Sequence, residues 1–187
     1  MDLISAFKSE LFRPLATVIA PGTVAVTPWA LTFLAHNHAV VTYAEKYVGA
    51  SAFFFIVLTT IAGFLLENIG ARIEKLWDSI LSKSKDNHNE LWNEYLRLKT
   101  KDEIVGQRYL RTIVTRMKFE LAIAPALFVC VAGLFALNIE RQYWTVGGLL
   151  AVVFPLIAIA VYLLFESFTS AKTCARARDQ VIKACVS

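Results

Sequence analysis

The sequence predicts an all-α polytopic membrane protein. It has four transmembrane helices, cytoplasmic N and C termini, and a cytoplasmic helical hairpin between spans 2 and 3. Three observations carry this. First, 57% of the 187 residues are hydrophobic and only 18% are charged, against about 25% charged in soluble domains. Second, the charges are segregated, leaving four uncharged stretches, 14–35, 47–66, 121–139 and 142–165, of 22, 20, 19 and 24 residues. At 1.5 Å rise per residue each reaches about 30 Å, the thickness of a bilayer's hydrocarbon core. Third, 17 of the 19 Lys and Arg residues fall in the N-terminus, the segment 67–120 or the tail after Phe165. Segments retained in the cytoplasm carry the Lys/Arg excess, which sets the orientation. The longest stretch between spans has 54 residues. A segment this short can barely bury a core, which argues against a large extramembrane catalytic domain.

Residues 1–13 read as an interfacial amphipathic helix, with Leu3, Ile4, Phe7 and Leu11 on one stripe. The region 14–66 holds spans 1 and 2. Span 1 contains Pro21, Gly22 and Pro28, a candidate hinge, because each proline removes a backbone donor and clashes with the preceding turn. Its apolar run is too long for a cleaved signal peptide, and no small-residue cleavage site follows. Residues 36–46 form a short outer loop and 138–141 a tight outer turn. Trp29, Tyr43, Tyr47, Tyr143 and Trp144 gather near that side as an aromatic belt. His36 and His38 have no Cys, Asp or third His close by, a poor metal signal.

Residues 67–120 form the predicted cytoplasmic hairpin. Ile69, Ile73, Leu76 and Ile80 repeat at helical spacing out of span 2, with Trp77 beside them and Glu67, Glu74 and Asp78 opposite. A polar break at 82–89 precedes a short helix, 89–99, carrying Leu91, Trp92, Tyr95, Leu96 and Leu98. Thr100 and Glu103 make a capping box that starts the helix leading into span 3. That helix has a basic face of Arg108, Arg111, Arg116 and Lys118, at a height where it can meet Glu74 and Asp78. Residues 121–166 hold spans 3 and 4, and 167–187 a cytoplasmic tail helix.

Catalytic and cofactor motifs are missing: there is no Gly-rich phosphate loop, H-E-x-x-H, G-x-S-x-G or C-x-x-C. Neither an enzyme nor a cofactor or metal is expected. The spans carry no acid or base, which argues against proton-coupled transport. Cys130, Cys174 and Cys185 match no metal spacing. Glu67, Glu120 and Glu166 close or open spans at the cytoplasmic boundary. Carboxylates at this depth are costly unless paired or wetted. They pair with Arg13, Arg72, Arg116 or Lys118, form an acid ring that favours cations in an oligomeric pore, or are simply exposed at the interface.

The size, topology and charged cytoplasmic segment resemble small four-span membrane subunits of bacterial anti-phage defence systems, the Kiwa system among them. The resemblance is one of layout and carries over no residue. It implies a sensor or anchor in a bacterial inner membrane. The expected function is therefore a non-enzymatic subunit, in contact with membrane lipid, that homo-oligomerises and engages a cytosolic protein through Trp77, Trp92, Tyr95, Arg108 and Arg111. No direct nucleic-acid partner is expected. The alternative is a homo-oligomeric cation-conducting pore or membrane-disrupting effector built on Glu67, Glu120 and Glu166.

Overall fold

A computed structural model describes the backbone of residues 15–82 and 105–186, and the side chains of 15–80 and 112–177. The predicted N-terminal helix, Trp92, Tyr95, the polar break beyond Ser82, the short helix and the capping box lie outside these residues. So do the side chains of Arg108 and Arg111. Ser82 itself still belongs to the helix leaving span 2.

The described chain is all-helical. A π-helical turn, Leu15–Ile19, leads into α1, Ala20–His36. Then come α2, His38–Lys46, α3, Val48–Ser82, α4, Val105–Arg141, and α5, Val146–Val186. Four segments, Leu15–His36, Val48–Ile80, Thr112–Arg141 and Val146–Ala177, are long and apolar enough to cross a membrane. Exposed Phe53, Phe54, Ile61 and Phe64 on α3, and Phe154, Val161 and Phe165 on α5, give these helices broad apolar outer faces. Water would not tolerate such faces, and a hydrocarbon solvent does. The chain is a multi-pass membrane protein by this architecture.

Two expectations about boundaries change. The outer loop 36–46 is itself mostly helix, α2, which turns Val40, Val41 and Ala44 inward. The tail is not a separate helix either, because α5 runs unbroken from Val146 through it. Nothing between Phe165 and Lys172 breaks a helix, and the side-chain contacts described below hold that stretch against α3 and α4.

α4 is the hub, packed against α1, α3 and α5. Ala25 and Leu66 bury against Ile123 and Ala126 at mid-height. Val131 packs on Leu149 and Val153 toward one end, and Met117 and Leu121 on Ala171 toward the other. Hydrophobic collapse cannot drive helix association in lipid, so close backbone approach matters more. Glycines supply it. A methyl at Gly22 would overlap the Thr59 carbonyl, and one at Gly63 the Val18 carbonyl. At Gly70 a methyl would come within 3.0 Å of the Leu121 carbonyl oxygen. These three positions set how α3 crosses its neighbours.

The prolines of α1 sit in these crossings. Pro21 is fully buried, and Pro28 packs at Gly133. Thr23, Thr27 and Thr32 each donate their hydroxyl to the carbonyl four residues back, at 2.8, 2.7 and 2.9 Å. Such back-bonding satisfies the hydroxyl in an apolar medium and bends a helix. The candidate hinge residues Pro21, Gly22 and Pro28 are thus placed in tight packing.

Candidate functional site

The polar chemistry of the bundle concentrates at the end holding Glu67, Glu120 and Glu166, here the acid end. It starts with helical spacing. Arg116 and Glu120 are four apart on α4, so they share a face. Glu166 and Ser170 are four apart on α5 and face them. Arg116 Nε donates to Glu120 Oε1 at 2.7 Å, and its Nη2 donates to Glu166 Oε1 at 2.6 Å. Ser170 Oγ donates to Glu120 Oε2 at 3.3 Å. The Glu120 side chain is only 4% exposed, while that of Arg116 is 60% exposed. The guanidinium therefore lies over the carboxylate, with one side toward solvent. Its fork spends separate N–H groups on two acids. A carboxylate this deep survives because the cation and the hydroxyl replace its lost water.

α3 joins the same junction through Trp77. Its indole Nε1 donates to Ser167 Oγ at 3.3 Å, and Ser167 passes a 2.7 Å bond to the Leu164 carbonyl. The Trp77 ring meets Phe168 edge-on, with centroids 5.2 Å apart, a favoured aromatic geometry. Below it, Ile73 and Trp77 close over Met117, Leu121 and Ala171. One layer of side chains thus ties α3, α4 and α5 together where the apolar spans end.

The three acids are not equivalent. Glu120 and Glu166 converge on Arg116. Glu67 instead lines a separate groove of about 300 Å³ between α3 and α4, with Asn68, Gly70, Ala71, Glu74, Lys118 and Leu121. The sequence allows the basic face of Arg116 either to meet Glu74 and Asp78 or to stay solvated; the described ion pairs of Arg116 go to Glu120 and Glu166. Trp77, expected to face a partner, is half-buried and engaged by α5. The contributions of Ser167, Ser170 and Phe168 were missed. Their signal was faint: an i,i+4 Glu166–Ser170 pair on a stretch read as the edge of a tail.

The opposite, aromatic end is built differently. His36 Nε2 and Glu140 Oε1 are 2.7 Å apart, with both side chains more than a third exposed. Arg141 donates through Nη2 to the Ala35 carbonyl. The turn between α4 and α5 is closed by the Trp144 amide, which donates to Asn138 Oδ1 at 2.9 Å, and by Gln142 at φ 49°. That angle lies in the left-handed region, uncommon for residues other than glycine. Trp29, counted into the aromatic belt, stays 44% exposed while its indole donates to the Val129 carbonyl at 3.1 Å beside Gly133. Among the described residues no group of three or more His, Cys, Asp or Glu side chains is placed to hold a metal ion.

No protein-family model, curated protein or solved structure matches this chain.

Proposed function

We propose that this chain is a non-enzymatic membrane anchor or sensor subunit. In this reading its acid end and both termini face the cytoplasm of a bacterial inner membrane, where it self-associates and engages a cytosolic protein. The observation that carries it is the junction formed by Trp77, Arg116, Glu120, Glu166, Ser167 and Ser170. Three helices leave the apolar region at that level without a break. α3 continues to Ser82, about 24 Å beyond Leu66, and α5 continues through the tail. A polar clamp at their base makes the extensions a stiff stalk. Such a stalk suits docking or transmitting force. The segment 67–120 holds 20 of the chain's 34 charged residues, and this concentration supports a protein-facing role. With Trp77 engaged inside the chain, partner contact falls to Trp92, Tyr95, Arg108 and Arg111. A role in antiviral defence rests on the resemblance of layout.

The test has two arms. In a cysteine-free background, a cysteine at Asn37 should be labelled by a membrane-impermeant reagent from outside the cell, and one at Asn87 should not. The reverse pattern overturns the orientation. Replacing Trp92 and Tyr95 by Ala should abolish capture of the cytosolic partner in the native host while insertion and oligomer size stay unchanged. Undiminished capture overturns the docking surface.

The pore reading draws its support from Glu67, which stands apart from the clamp and borders its own groove. Glu120 and Glu166 are held by Arg116 and are poor candidates for a cation pathway. Cation flux through liposomes that falls in Glu67→Gln alone would favour the pore over the anchor.

A further inference from the structure

The aromatic end carries a second groove, of about 530 Å³, between α1, α2 and the α4–α5 turn. Its volume falls in the range of about 300–1,000 Å³ typical of ligand pockets. Leu31, Leu34, Ala35, Val41 and Leu137 make its wall apolar. Arg141, Tyr143 and Trp144 stand exposed along it.

We propose that this groove is a phospholipid site, taking an acyl chain along the apolar wall and the phosphodiester on Arg141. Charge complementarity argues for this occupant. Arg141 has five N–H donors in a planar fork, and its one described hydrogen bond goes to the Ala35 carbonyl. The adjacent acid, Glu140, places its Oε1 at His36, 2.7 Å away, and makes no described ion pair with Arg141. The donors of Arg141 that remain suit two phosphate oxygens at once. Position argues the same way. The groove opens where two apolar spans end, so the solvent beside its wall is lipid. Tyr143 and Trp144 are the residue types that settle at headgroup level. Gln142, in the left-handed conformation, reverses the chain so that Arg141 and these two rings line one groove.

The experiment uses the full chain in nanodiscs and in mild detergent. Native mass spectrometry counts bound phosphatidylglycerol per chain, with diacylglycerol and inorganic phosphate as controls. One bound phosphatidylglycerol is expected. Neither diacylglycerol, which lacks the phosphate, nor free phosphate, which lacks the chains, should replace it. Arg141→Gln should lower affinity about tenfold, equivalent to about 1.4 kcal/mol, through the loss of a charge-assisted contact. Arg141→Lys should keep much of the binding. Val41→Trp fills the groove from its half-buried position on α2 and should expel the lipid, with unchanged helical circular dichroism and a monodisperse elution profile showing that the chain still folds. The proposal is overturned if the wild-type chain retains no phospholipid. It is also overturned if Arg141→Gln and Val41→Trp bind as wild type does, or if diacylglycerol binds equally well. A lipid-free dimer dissolved by Val41→Trp would likewise overturn it, because a second copy would then occupy the groove.

Discussion

Each end of the bundle holds a short side-chain contact to a carboxylate, and the two differ in burial. At the acid end the Glu120 side chain is 4% exposed and clasped by Arg116 and Ser170. At the aromatic end His36 and Glu140 meet at 2.7 Å with side chains 53% and 36% exposed. Their distances are equal, yet their energetics are not. Removing one partner of a buried pair strands a charge in a poor solvent, whereas an exposed partner returns to water. The first end is built as a joint and the second as a rim.

Breaking the joint should give the largest effect. Arg116→Met removes the cation from the buried Glu120 and is expected to cost about 2–3 kcal/mol, less than for a fully buried pair because Arg116 is itself 60% exposed and Ser170 still donates to the carboxylate, read from denaturant unfolding in detergent. The double variant Arg116→Met with Glu120→Leu removes both charges and should recover most of that loss. If the single variant melts like wild type, the pair carries no weight and the contrast between the ends disappears.

Next comes the crossing that brings α3 to the joint. Gly63→Ala places a methyl against the Val18 carbonyl. An overpacked site of this kind should lose about 1–3 kcal/mol. The same change at Gly49, where a Cβ meets nothing within 4 Å, should be close to neutral. Equal effects at the two glycines would mean that close approach does not position α3.

A smaller loss is expected for Trp77→Phe, which keeps the ring and drops the donor to Ser167. The cost should be about 0.5–1.5 kcal/mol, with tryptophan fluorescence reporting the lost environment. Should Trp77→Phe instead leave stability unchanged and abolish partner capture, Trp77 belongs to the docking surface after all.

The smallest effect belongs to the rim. His36→Ala removes an exposed contact and should change stability by about 0–1 kcal/mol, read from denaturant unfolding in detergent. A loss as large as that of Arg116→Met would show that the aromatic end is as tightly coupled as the acid end.

Much of the fold was legible in the residues. The four spans follow from uncharged runs of bilayer length, and the long exit of α3 from the periodicity of Ile69, Ile73, Leu76 and Ile80. Part of the site was legible as well. Arg116 was among the cations expected to pair with the boundary acids, and it takes two of them. The remainder could not be read along the chain. Trp77 lies on an apolar stripe that suits either a partner or α5, and nothing within α3 distinguishes them. The 36–46 segment has few strong helix signals, and its helix forms where Val40, Val41 and Ala44 face the bundle.

By itself, then, the sequence determined the solvent of each segment, because the transfer cost of charges and apolar side chains depends on composition and scarcely on neighbours. It also determined the periodic faces of each helix. The tertiary structure decided which faces meet. Helix rotation and height are set where backbones can approach, at Gly22, Gly63 and Gly70, and those contacts join residues distant along the chain. That register brings Glu120 and Glu166 to one guanidinium and leaves Glu67 in a groove of its own.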